Sequence, residues 1–292
     1  MKIRKAPDME RLCDLYFELS NDDRLEILFR LRETPMTVTR LARELEITTQ
    51  ECSRHTARLS EALLIAKNPE GAYSLTPYGR LSLKFIAGPS FVAEHRDYFN
   101  AHSLDVHPRE FVARIGELGA GKLTGNAMVS FGIVENLMRV AEEYIWMIHD
   151  QYLLSILPLC VDALKRGVLL RTVELKSRED RRNLNPERPG YISEEDEDFF
   201  IESWKAKTTQ SAFLDEIPVF LYISEKEAII AFPLGEGGFD YIGFTSTDPV
   251  FHGYCCDVFS HYYEIGEPPP REKVLGIHEI RKAFHSGKKR GE

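Results

Sequence analysis

Apolar positions in the first ninety residues recur at helical spacing, and the polar residues between them carry start and stop signals. Ser20 has an acid three residues on, Asp23, which is capping-box spacing, and Leu25, Ile27, Leu28 and Leu31 follow as a helical stripe. Thr34-Pro35 breaks that helix. Thr37 can cap a short second helix whose Val38, Leu41, Ala42 and Leu45 fall at i, i+3, i+4 and i+7. After the Glu46-Ile47 connector, Thr48 with Glu51 is a second capping box, opening a third helix over about 49–63 that buries Cys52, Thr56, Leu59 and Leu63. Leu64–Lys67 and Ala72–Leu75 read as two short strands around the turn Asn68-Pro69-Glu70-Gly71, a hairpin over about 64–75. Thr76-Pro77 starts another helix, with proline at its first position.

Beyond Gly88-Pro89, an expected boundary, the pattern changes. Phe91–Phe99 and Pro108–Leu118 read as helical. From about residue 127, helical and strand-length apolar runs alternate. Ile133–Glu143 is helical, Tyr144–Ile148 a strand, Leu153–Arg166 a helix ending at Gly167, and Val168–Val173 a strand. That order predicts a parallel pair joined by a crossover helix. Residues 177–198 are polar and read as a solvated loop and helix start. Pro218–Ser224 and Ala228–Phe232 predict a hairpin around Glu225-Lys226-Glu227, and Tyr241–Phe244 a further short strand. Asp248-Pro249 opens a last amphipathic helix with Phe251, Tyr254, Cys255, Val258 and Tyr262 inward. The fold class expected is mixed α/β, an N-terminal winged helix-turn-helix domain (1–88) followed by an α/β domain (89–267) and a basic tail (268–292).

The polar face of the third helix carries candidate chemistry. Opposite its apolar stripe lie Gln50, Arg54, Ala57 and Arg58, with Ser53 at the border. Arginine can pair with guanine edges or phosphates, glutamine with adenine, and a small residue permits close approach. The helix N-terminus favours phosphate through its free N–H groups. The expected duplex-DNA contacts are therefore Gln50, Ser53, Arg54 and Arg58 in the major groove, with Thr48, Thr49 and Lys67 on phosphates or the wing-side groove. The runs Arg24-Leu25-Glu26-Ile27-Leu28, Leu41-Ala42-Arg43-Glu44-Leu45, Ser53-Arg54-His55 and Tyr73-Ser74-Leu75-Thr76-Pro77-Tyr78-Gly79-Arg80 resemble the winged-helix domain of ArsR-type regulators. The resemblance covers about residues 15–85 and implies a homodimeric DNA-binding regulator. The helices Asp8–Leu19 and after Pro77 are its candidate interfaces. A protein-interaction module of the transcription machinery is the alternative use of the same fold.

Charge at first argues against nucleic acid, since the 292-residue chain carries a net −9. Divided along the chain the picture differs: residues 1–88 are net +1, 89–267 net −14 and 268–292 net +4. The acidity belongs to the middle segment. Five scattered cysteines without a CxxC spacing fit reduced thiols in a cytoplasm, and no apolar run reaches the length of a membrane span.

Enzyme signals in the second half fail individually. Gly116 to Gly121-Lys122 has the spacing of a phosphate-binding loop, but Leu123 stands where Ser or Thr must hold magnesium, and helical spacing precedes it. A helix–helix connection is expected there instead. Cys52 with His55, and His252 with Cys256, lack the further ligands that a metal site needs, so no metal and no cofactor are expected. The segments Glu110–Ile115, Ala231–Leu234 with Asp240–Phe244, and Asp248 through Cys255–Phe259 to Tyr262-Tyr263 are similar to the effector domain of FilR1-type archaeal regulators. The α/β order also resembles the phospholipase-D-like effector domain of TrmB-type regulators. Phospholipase-D enzymes require an HxK pair, and none of the nine histidines has lysine two residues on. The resemblance thus implies ligand sensing without catalysis. A small-molecule effector would sit beyond the carboxyl ends of the strands, which points to His149, Asp150, Gln151, Glu174, Lys176 and Asp240.

Overall fold

In the computed structural model the described residues are 9–150, 156–176 and 193–268. The expected tail 268–292 lies almost wholly outside them. The chain divides into two units, Met1–Ser90 and Phe91–Glu292.

The first unit is helical with a small sheet. It comprises α1 (Met9–Leu19), α2 (Asp22–Glu33), β1 (Met36–Thr37), α3 (Val38–Glu44), α4 (Thr49–Glu61), β2 (Ile65–Lys67), β3 (Ala72–Leu75) and α5 (Pro77–Glu94). Ile27, Leu28 and Leu31 from α2, Leu41 and Ala42 from α3, and Cys52 and Leu59 from α4 meet in one core. The sheet order is β1-β3-β2, antiparallel throughout, with Met36 opposite Tyr73 and Ile65 opposite Leu75. The hairpin β2–β3 was expected; β1 was not.

Two local expectations are corrected. Asn21, not Ser20, caps α2, its side chain accepting from the Arg24 N–H at 3.1 Å, while the Ser20 hydroxyl turns back to the Phe17 carbonyl. Leu63 is exposed rather than buried: α4 ends two residues earlier, Leu63 takes a left-handed φ of 61°, and the reversal delivers Leu64 to the core instead. The expected boundary at Gly88-Pro89 lies inside α5, which runs through Pro89 to Glu94, and the two units divide between Ser90 and Phe91.

The second unit is a seven-stranded mixed sheet with helices on both faces. Its elements are α6 (Arg96–Ala101), α7 (Arg109–Ala113), a 3-10 turn (Ile115–Ala120), β4 (Lys122–Leu123), α8 (Ala127–Val140), β5 (Tyr144–Ile148), α9 (Ile156–Lys165), β6 (Leu169–Leu175), α10 (Glu194–Lys205), β7 (Thr209–Leu214), β8 (Phe220–Ser224), β9 (Ala228–Ala231), β10 (Phe244–Ser246) and α11 (Pro249–Ile265). The strand order is β4-β10-β9-β8-β5-β6-β7. The β5–β6 pair is parallel, as its crossover order predicts, and β7 continues the parallel part. The β8–β9 hairpin is antiparallel, and β10 and β4 extend it.

Side-chain alternation builds two cores. Ile145 and Met147 of β5, with Phe220 and Tyr222 of β8, pack under α8 and α9. Ile148, Leu221 and Ile223 point the other way, against Phe251, Tyr254, Val258 and Phe259 of α11. Asp248 caps α11 by accepting from the Val250 and Phe251 N–H groups at 2.9 and 3.1 Å, and Pro249 begins it as expected.

The glycine-rich stretch is not a helix–helix connection. The 3-10 turn delivers Lys122 and Leu123 to the sheet as edge strand β4, opposite Thr245 and Phe244. A Cβ at Gly121 would stand 2.7 Å from the Phe251 ring, so the glycine serves close packing. Tyr241 is not in a strand either. Its φ is 62°, and β10 begins three residues later at Phe244.

Candidate nucleic-acid interface

Helix α4 begins with its hydrogen bonds closed. Thr48 Oγ1 accepts from the Glu51 N–H at 3.2 Å, and the Glu51 carboxylate accepts from the Thr48 N–H at 3.0 Å. The hydrogen bonds from Thr48 hold the exposed Glu51 carboxyl below its ordinary range. Cys52, His55, Thr56 and Leu59 bury the opposite side. That leaves Thr49, Gln50, Ser53, Arg54 and Ala57 exposed together on one face. Lys67 is exposed on β2, its ammonium 5.7 Å from the Tyr73 ring centre.

Two of the expected contacts are already occupied. Thr48 Oγ1 also lies 2.7 Å from Glu51 Oε2, so its hydroxyl serves the cap. Arg58 folds back as a fork onto Glu18 of α1, with Nε 3.1 Å from Oε2 and Nη2 on Oε1. Arg54 has no hydrogen bond or ion pair with the described residues. Of the two arginines on this helix, Arg54 is the one whose guanidinium stands open.

Cys52 is fully buried in the core, and burial pushes its thiol up. His55 instead turns Nε2 to Asp23 of α2 at 3.4 Å. The two side chains therefore serve different neighbours. Among the described residues no three His, Cys, Asp or Glu side chains converge as a metal-holding group.

The expected effector residues divide into two places. On the α8–α9 side of the sheet, His149 is buried directly after β5, and the Tyr241 hydroxyl donates to the Asp150 carboxylate, both oxygens at 3.2 Å. Glu174 is buried in β6, with Thr172 Oγ1 2.9 Å from its Oε1 and 2.7 Å from Ser211 Oγ. Burial, with the nearby Glu174 charge, pushes the Cys160 thiol up to about 12. Thr172, Ser211, Cys160 and Tyr241 are members that sequence reasoning missed; the strand alternation that puts Thr172 on the same face as Glu174 was the available signal.

Asp240 is not part of this group. It accepts from the Ile242 N–H at 2.9 Å and meets His102 Nε2 at 3.1 Å, and His102 stacks on Tyr98 from the other side of the sheet. Tyr241 packs against the α8–α9 core while Asp240 turns to His102 on the other side, so the two do not line one pocket. Lys176 is drawn outward to Asp215 and Glu267 at 3.1 and 2.7 Å. Gln151 lies outside the described residues.

His252 and Cys256 do face each other on α11, with Nδ1 3.6 Å from Sγ. The other ring nitrogen lies 2.7 Å from the Ser224 carbonyl, and burial pushes the Cys256 thiol up. The pair is accounted for by packing and hydrogen bonding within the sheet end.

Residues 19–68, from the end of α1 to β2, match the family model described as a helix-turn-helix domain. The N-terminal unit contains a helix-turn-helix. A comparison with curated protein sequences gave no match. Among solved structures the chain is similar to TrmBL2, described as an archaeal chromatin protein with a novel mode of DNA binding, at 14% identity and a TM-score of 0.40 over 85% of this chain and 94% of that one. It is also similar to the phospholipase D family member Nuc from Salmonella typhimurium, at 13% identity and 0.33 over 48% of this chain and 90% of that one. A third is NucT from Helicobacter pylori, at 9% and 0.33 over 50% and 92%. None of the three superposes closely. No helix among the described residues is long and apolar enough to cross a membrane.

Proposed function

We propose that this chain is a cytoplasmic DNA-binding transcriptional regulator that reads duplex DNA with α4 and the β2–β3 wing. The observation that carries the reading is the exposed Gln50–Ser53–Arg54 face on the second helix of a helix-turn-helix, with the Arg54 guanidinium open. The α/β unit is a non-enzymatic effector and assembly unit. Its polar cluster of His149, Asp150 and Glu174 at the carboxyl ends of β5 and β6 is the place for a small-molecule effector.

DNA recovered from cells with the protein provides the test. Sites enriched over input and bound in a gel-shift assay, with affinity falling steeply as salt rises, are the expected result. A chain that enriches no sequence and shows no salt-sensitive DNA binding is a protein-interaction module instead.

The regulator is read as a homodimer. Within the first unit, Leu12 and Tyr16 of α1 and Tyr78, Leu81 and Phe85 of α5 are exposed, and a groove of about 400 Å³ runs between these helices. Phe85 alone is 71% exposed. A monomer gains nothing from such a surface, whereas a second copy would bury it and match a two-fold operator. Phe85→Glu with Leu81→Glu is expected to yield a monomer in sedimentation velocity. A dimer that survives both charges places the interface elsewhere.

A further inference from the structure

Glu18 is an unusual residue to bury. Its side chain is only 11% exposed, at the carboxyl end of α1, and it is enclosed by two guanidinium groups. Arg24 of α2 approaches Oε2 at 3.1 Å while donating to the Glu18 and Phe17 carbonyls at 2.7 and 2.6 Å, which closes the end of α1. Arg58 of α4 supplies the fork on the other side, and both guanidiniums lie over the Phe17 ring, at 5.8 Å for Arg24 and 5.1 Å for Arg58. The hydrogen bond from Arg58 holds the Glu18 carboxyl below its ordinary range, against the desolvation that would raise it. A planar fork on a carboxylate fixes orientation as well as distance.

From this geometry we propose that Glu18 is a positioning residue for DNA reading: it holds Arg58 as a strut between α1 and α4, so that Arg58 sets the pose of the recognition helix without touching DNA. The inference rests on the DNA-binding reading above. Were Arg58 to leave for a phosphate, a carboxylate nine-tenths buried would keep only Arg24 as counter-charge. Arg54, one turn earlier and open, has no such tie. His55 adds a second tie from the same helix, to Asp23 of α2. The strut means that α1, the helix whose outer side offers the dimer surface, and α4, the helix that faces DNA, share one bidentate contact.

The test is a double-variant cycle on the full-length protein with its own recovered DNA site. Glu18→Gln and Arg58→Met are each expected to weaken specific binding roughly tenfold, a coupling of the ordinary size between linked sites. The double variant is expected to be no weaker than either single. The slope of log affinity against log salt is expected to stay unchanged in all three, because no phosphate contact is lost; a phosphate contact would take about 0.9 from it. Titration at high protein concentration gives the active fraction, which separates a shifted dissociation constant from partial unfolding.

The proposal is overturned if Arg58→Met flattens the slope by about one, if Glu18→Gln strengthens binding, if the losses add, or if only the active fraction falls. If wild-type protein binds no DNA, the functional reading itself fails, and the strut with it.

Discussion

Replacing Arg54 by alanine is expected to weaken sequence discrimination sharply while leaving the fold intact. Arg54 is exposed on α4, opposite the Cys52–Leu59 stripe, and no described residue forms a hydrogen bond or ion pair with it. Its removal therefore costs the domain little: alanine is the better helix former, and only a weak, solvent-screened attraction to Glu51 is lost. A good bidentate arginine–guanine pair contributes about 1–3 kcal/mol of discrimination. In a two-fold complex both copies lose it, about 2–6 kcal/mol together, which is roughly thirty-fold to twenty-thousand-fold in affinity. Arg54→Lys separates the two parts of the effect. Lysine keeps the charge and hence the salt slope, but it lacks the fork, so specific and non-specific affinities should converge. Equilibrium titrations of specific and scrambled duplexes at several salt concentrations measure this. Undiminished discrimination in Arg54→Ala removes α4 from the groove.

Gly79→Ala is expected to destabilise the helix-turn-helix unit by about 3 kcal/mol, at the upper end for overpacking. A Cβ at this position would stand 2.0 Å from the Leu64 carbonyl oxygen, a backbone atom that cannot swing aside. The same carbonyl accepts the Thr76 N–H at 3.0 Å. Thr76 in turn accepts the Gly79 N–H on Oγ1 at 2.9 Å and donates that hydroxyl to the Leu63 carbonyl at 2.6 Å. Leu75-Thr76-x-x-Gly79 is thus a joint: threonine starts α5 and ties it to the end of α4, and glycine lets the two backbones meet. Gly132→Ala in α8 is the control, since a Cβ there has no atom within 4 Å and alanine should add about 0.5–1 kcal/mol. Urea unfolding followed by far-ultraviolet circular dichroism should show the first variant with a lower midpoint and the second with a higher one. An unchanged midpoint for Gly79→Ala means that the joint relaxes freely.

What could be read from the residues alone was local. The Thr48–Glu51 capping box, the α3–α4 spacing and the hairpin turn depend on neighbours within a few positions, and all are present. The failures are equally informative. Ser20 and Asn21 are adjacent and both can cap; the acid three residues after Ser20 favoured the wrong one, since Asn21 has Arg24 at that spacing and its acids, Asp22 and Asp23, in the first turn. Leu63 continued the helical stripe on paper, but the left-handed turn came first. Projection at 100° per residue put Arg58 outward correctly; what it could not show is that a long side chain folds back to a carboxylate forty positions earlier. Strands β4 and β7 were missed because one has two residues and the other, Thr209–Leu214, carries Gln210 and Ser211 among its apolar positions. In the effector cluster, His149, Asp150 and Glu174 follow from strand ends. Asp240 was grouped with them because a strand was expected from Tyr241, whereas β10 begins only at Phe244 and the Asp240 carboxylate is taken by the Ile242 N–H and His102.

The mixed sheet also bears on the order in which the second unit folds. Strands β8, β9 and β10 are consecutive and pair antiparallel, so their ladder closes through loops of three and twelve residues. The last partner of that ladder is β4, whose Leu123 meets Phe244 from the far end of the sequence, and β5 must wait for the helix-bearing crossovers that bring β6 and β7 alongside. Loop-closure entropy rewards the near pairing first. During synthesis, β4 to β7 therefore emerge before the hairpin that completes their sheet, and the parallel half waits with one edge open. The open edge is β5, whose Tyr144–Ile148 run carries no charge, so until β8 pairs with it this is the place where one nascent chain can stick to another.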